Sequence, residues 1–155
     1  MRRPIGPLIV AALLAVGCGA ERELEAGGAD PAAVEVIDAW AETLSAGDID
    51  GAASYFAIPS VASNGPLFEI EDAGDARLFN ASLPCGAELI ATRPSGDFVI
   101  ATFRLTERPG PGTCGSGVGQ RASTAFAIDD GKIVEWRRVP TEGGTGPPSA
   151  PSTSA

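Results

Sequence analysis

Apolar positions follow two rhythms along this chain of 155 residues. Between Asp30 and Leu83 they recur every three or four residues, and from Ala87 to Val139 every second residue. The first rhythm marks helices with one buried stripe; the second marks strands with one buried face. Asp30-Pro31 reads as a helix start, a carboxylate cap followed by proline at the first helical position. Val34, Ile37, Trp40, Ala41 and Leu44 then form one stripe, and Gly47 stops the helix as a left-handed cap. Asp48 or Asp50 caps a second, short helix that carries Ala52, Ala53, Tyr55 and Phe56 and ends at Pro59. Asn64-Gly65 is a hairpin turn signal between two short strands within Ser60 to Ile70. Asp72 to Leu83 reads as a third helix, with Ala76, Phe79 and Leu83 along one side and Pro84 closing it.

The remainder reads as sheet. Ala87 to Arg93 is a strand, Pro94-Ser95-Gly96 a turn, and Asp97 to Glu107 a longer strand with Val99, Ala101, Phe103 and Leu105 on one face. A Gly/Pro-rich loop, Pro109 to Gly119, leads to a strand from Arg121 to Ile128 with Ala122, Thr124, Phe126 and Ile128 on one side. Asp129-Asp130-Gly131 turns the chain into a last strand, Lys132 to Val139. If the strands from Ala87 and to Glu107 pair antiparallel, the start of one lies beside the end of the other. Cys85 precedes that start and Cys114 follows that end, so the topology brings the two within reach of a disulfide. The competing reading is a pair of metal ligands, but two isolated cysteines with no histidine make a poor zinc site.

Composition narrows the chemistry. No histidine is present, which excludes histidine acid/base relays and the commonest zinc ligand. The formal net charge is −9, so nucleic acid is not an expected partner. The Gly-rich stretch Gly110 to Gly119 lacks the lysine and the strand-to-helix setting of a phosphate loop.

The ends carry a different message. Arg2 and Arg3 precede an apolar run from Ile5 to Val16, too short to span a bilayer. Ala15-Val16-Gly17-Cys18 resembles the lipobox of bacterial lipoproteins, with Ala15 where the family prefers leucine. That resemblance implies a signal peptide over 1–17, diacylglyceryl lipidation of Cys18, and a location on the extracytoplasmic side of the bacterial cell envelope. Two acyl chains anchor stably where one is marginal. Residues 18–29 read as a charged, Gly-rich tether, 30–140 as the folded domain, and 141–155 as a disordered tail without a large apolar residue.

Two phrases suggest the fold. AWAETLSAGDIDGAASYFA, from Ala39, resembles the opening of the nuclear transport factor 2-like superfamily with its polyketide-cyclase, SnoaL-like and ketosteroid-isomerase-like branches. FAIDDGKIVEWRRV, from Phe126, resembles that family's last hairpin. The resemblance implies an α+β fold: a curved antiparallel sheet packed against about three N-terminal helices as a cone-shaped, cystatin-like barrel. Its open end is often a pocket, and many members are homodimers. The isomerase branch's oxyanion-binding tyrosine falls on Trp40, its aspartate base near Asn64, and its neutral aspartic acid near Ser123 or Thr124. None of these side chains can do the family's proton transfer. The Asp-His pair of related dehydratases cannot exist here.

The expected function is therefore a membrane-anchored, non-enzymatic binding module for a small apolar ligand or an envelope protein. Its expected pocket is lined by Trp40, Tyr55, Phe56, Asn64, Phe79, Phe103 and Thr124, without catalytic residue, cofactor or metal. One alternative is an isomerase or cyclase with non-standard groups such as Tyr55 and Glu135. Another is a structural dimeric subunit of an envelope assembly. Glu135, Arg137, Arg104 and Arg121 read as a ladder of cross-strand ion pairs on the outer surface, or else as a polar pocket. Trp136 and Val134 then face the other side.

Overall fold

A computed structural model describes residues 28–142. The leader 1–17, Cys18 and nearly all of the tether and tail lie outside the described residues. Ala29, at the tether's last position, is buried in the core, and Glu142, at the tail's start, pairs with Arg93 at 3.2 Å.

The order is α1 (Pro31–Ser45), α2 (Ile49–Ser54), β1 (Phe56–Ser63), β2 (Leu67–Ile70), α3 (Ala73–Ser82), β3 (Gly86–Ser95), β4 (Phe98–Thr106), β5 (Arg121–Asp129) and β6 (Lys132–Val139). Each α-helix begins on an aspartate whose side chain accepts from a first-turn N–H: Asp30 from Ala32, Asp48 from Gly51, and Asp72 from Gly74 and Asp75. The stripe of α1 is buried as its spacing predicts, with Ile37 and Ala41 at 0 % exposure. Gly47 has φ +79°, the left-handed conformation its place after the helix demands.

The six strands form one sheet in the order β2-β1-β6-β5-β4-β3. The expected antiparallel arrangement holds for four of the five pairings; β1 and β6 run parallel. This one parallel pairing joins the β1–β2 hairpin to the β3–β6 meander, and the sheet stays open rather than closing into a barrel. Open and curved, it packs one face on the helices, a two-layer α+β arrangement.

The short second helix ends earlier than its sequence suggests. Tyr55 caps α2, and Phe56 already begins β1. Pro59 therefore does not end a helix; it lies within β1 after a cis Ile58–Pro59 bond. The β1–β6 register shifts between Phe56 and Val61, and pairing with β2 starts only at Ser60. Proline's missing N–H thus falls where neither neighbour asks for a ladder bond. The Pro94-Ser95-Gly96 turn also shifts, because β3 runs on to Ser95 and the chain reverses at Gly96-Asp97.

Two polar devices hold the layers together. Ser45, at the end of α1, accepts from the Ala87 N–H at 2.8 Å and donates to the Ala87 carbonyl at 3.1 Å. Arg108 is 7 % exposed and has no carboxylate partner among the described residues. Its guanidinium donates to the carbonyls of Ala81 and Leu83, at the end of α3, and of Pro109, in the loop after β4. A cation over the last carbonyls of a helix meets the negative end of its dipole. Cys85 and Cys114 are bonded to each other and close a loop between the start of β3 and the segment after β4.

Candidate functional site

The inner face of the sheet is filled by aromatic rings. Trp40 sits at their centre, edge-on to Phe56, Phe103, Phe126 and Trp136 at centroid distances of 5.5–6.5 Å. Phe79 closes the cluster against Phe56 at 5.6 Å and Trp136 at 5.1 Å. Edge-to-face pairs at this spacing are favourable beyond their area burial. The Trp40 indole N–H donates to Asn80 Oδ1 at 2.9 Å, and Asn80 Nδ2 donates to the Ala76 carbonyl at 2.8 Å. Asn80, on α3 and fully buried, therefore fixes the ring at the middle of the cluster.

Beyond the aromatic plug lies a cavity of about 240 Å³. Its floor is Trp40, Phe103 and Trp136, with Leu44, Leu105 and Ala122 completing the apolar walls. Leu83, Pro84, Cys85 and Ala87 form one rim, so the disulfide borders the cavity. Asn64, at the β1–β2 turn, and Arg138, near the end of β6, stand on the opposite rim, and Thr124 lines the wall between. A larger groove of about 490 Å³ runs outside, between α1 and β3, past Asp38, Glu42 and Glu88. It lacks the aromatic walls that hold a small molecule, so the inner cavity is the better candidate.

Of the expected lining residues, Trp40, Asn64, Phe103 and Thr124 meet at this cavity. The positions matched to the isomerase branch's three reacting groups thus converge, with Thr124 rather than Ser123 on the inner side. The other three do not line it. Phe56 and Phe79 are spent in the aromatic plug, 4 % exposed each. Tyr55 ends α2, half-buried against the core, because the chain turns into β1 one residue later. Tyr55 and Glu135 are not brought together: Glu135 pairs with Arg137, its neighbour two residues along the same strand. Arg104 pairs with Glu88 across β3 and β4 at 3.6 Å. The expected cross-strand ladder does not form as such: Glu135 and Arg137 pair along one strand, Arg104 crosses strands to Glu88 instead, and Arg121 stays exposed at the start of β5 with no ion pair among the described residues. Trp136 faces inward, as alternation predicts.

Two residues at the cavity were not singled out as lining it. Arg138 faces Thr124 across the β5–β6 pair and presents the lining's one charge. It is exposed as a residue, yet burial against the wall desolvates it and lowers its pKa. It keeps its proton throughout the physiological range all the same. Trp136 is 4 % exposed, and its indole N–H has no hydrogen-bond partner among the described residues. Alternation in WRRV would have placed Trp136 and Arg138 on one face.

The lining contains no aspartate, glutamate, lysine or histidine. It offers neutral amide and hydroxyl groups and a permanent cation, but no side chain able to accept a proton at neutral pH. No cluster of three or more potential metal ligands occurs among the described residues.

No family model matches the sequence, and no curated protein matches it significantly. Solved structures do match the fold. A candidate polyketide cyclase from Sinorhizobium meliloti aligns with a TM-score of 0.53 at 17 % identity, over 68 % of this chain and 94 % of that one. An uncharacterized cystatin-fold protein from Novosphingobium aromaticivorans gives 0.52 at 20 % identity, over 69 % and 97 %. A nuclear transport factor 2-like protein of unknown function from Cytophaga hutchinsonii gives 0.53 at 9 % identity, over 69 % and 88 %. Identities this low speak for architecture and not for activity. The described domain has the cystatin-like fold of nuclear transport factor 2-like proteins.

Proposed function

We propose that the protein is a non-enzymatic binding module, anchored to the outer side of a bacterial membrane through lipid on Cys18, that holds a small apolar molecule in the inner cavity. One observation carries the binding reading: a cavity with aromatic and aliphatic walls and no proton acceptor in its lining. A cavity of this kind sequesters; it does not run the acid/base chemistry of an isomerase. The lipobox-like Ala15-Val16-Gly17-Cys18 supports the anchor. The disulfide supports an oxidising compartment, since such bonds persist there and are rare in the cytosol.

The test uses the protein's own probes. Its two tryptophans, Trp40 and Trp136, both line the cavity. Titration of the full chain carrying Cys18→Ser with 1-octanol should give a saturable change in their emission. An emission unmoved up to the solubility limit of the alcohol would overturn the binding reading.

A further inference from the structure

We infer that the ligand is a small carboxylate with an apolar tail, its tail against the aromatic floor and its anionic head on Arg138. The inference rests on the reading of the cavity as a ligand site. Two observations carry it. The cavity of about 240 Å³ is mostly apolar, with Trp40, Phe103 and Trp136 in its lining, and Asn64, Thr124 and Arg138 are its polar side chains. Arg138 is the cavity's one charge and, like Arg108 and Arg121 elsewhere in the domain, has no carboxylate within ion-pair distance among the described residues.

A carboxylate answers this charge. The planar guanidinium matches its two oxygens in a forked pair, which a point charge would not. The Thr124 hydroxyl, across the β5–β6 pair from Arg138, is a further donor in the lining. Size limits the tail. At ~30 Å³ per water the cavity holds about eight waters. The part of the ligand held in the cavity therefore has on the order of ten non-hydrogen atoms, as a medium-chain fatty acid or an arylacetic acid does. The chain's net charge of −9 repels anions at long range, so any preference for an anion must arise locally.

The experiment compares octanoate with 1-octanol, equal in length and different in charge, by tryptophan emission on the full chain carrying Cys18→Ser. Octanoate should bind at least tenfold tighter than octanol. Adding Arg138→Gln should erase that preference, and Arg138→Lys should restore only part of it. Arg121→Gln, on the outer face, should leave the preference in place. Octanol binding as tightly as octanoate would overturn the carboxylate inference and leave the cavity reading standing. A preference that survives Arg138→Gln would overturn the role of Arg138. If neither probe binds, the cavity reading fails and this inference with it.

Discussion

Asn80 shows how one side chain organises this interior. Its amide holds the Trp40 indole with its oxygen and its own helix with its nitrogen. Replacing it by alanine strands a buried indole N–H and opens a small void beside Trp40. Asn80→Ala should cost about 2–3 kcal/mol, measured by urea denaturation. A double-mutant cycle with Trp40→Phe should recover part of that loss, since the second change removes the orphaned donor. Gly86 is a second pressure point. A Cβ there would lie 2.6 Å from Thr106 Oγ1 and 2.9 Å from Ser45 Oγ, with the Ser45 Cα at 3.2 Å. Gly86→Ala must push α1 away from β3 and should cost about 1–3 kcal/mol in the same assay. Neither residue stands out in the sequence. Asn80 looks like an ordinary polar helix residue, and Gly86 like one more loop glycine, because their partners lie far away along the chain.

At the level of elements, local signals worked where local physics decides. Aspartate caps and the stripe of α1 are fixed within a few residues and were legible; in β4 and β5 the inward set of Val99, Ala101, Phe103, Ala122, Thr124 and Phe126 was legible too, but Ile100, Ser123 and Ala125 on the other face are buried as well. Pro59 was not legible. Its chain context resembles a helix end, but the bulge that accommodates it in β1 is created by β6, distant in sequence. The cavity was half legible for the same reason: alternation tells which face Thr124 and Trp136 share, but not that the aromatic plug consumes Phe56 and Phe79. The disulfide, by contrast, follows from strand pairing alone. The bond spans 29 residues, so on the chain-entropy account it contributes about 3–4 kcal/mol. The double variant Cys85→Ser, Cys114→Ser should lose most of that in chemical denaturation. Because Cys85 borders the cavity, the variant should also bind its probe less tightly.

For the molecule as a whole, the proposal makes a claim about place. The described domain has no helix long and apolar enough to cross a membrane. On the proposed reading, residence at a membrane depends on lipid at Cys18. In a bacterial host the natural chain should sediment with membranes, and Cys18→Ser should release it to the soluble fraction. Mass spectrometry of the membrane-bound form should find the N-terminal cysteine acylated. A chain that pellets equally with serine at that position would remove the anchor from the picture. Surface ion pairs such as Arg77 with Asp50 are exposed and should matter little to stability at any salt concentration.

The parallel seam between β1 and β6 has a consequence for the order in which the protein is made. It sets Phe56 beside Ile133, near opposite ends of the domain. Until the ribosome has released the final strand, the hairpin of β1 and β2 lacks its neighbour in the sheet. Topologies that depend on such distant partners mature slowly. A nascent polypeptide of this design completes its sheet only after β6 has been made.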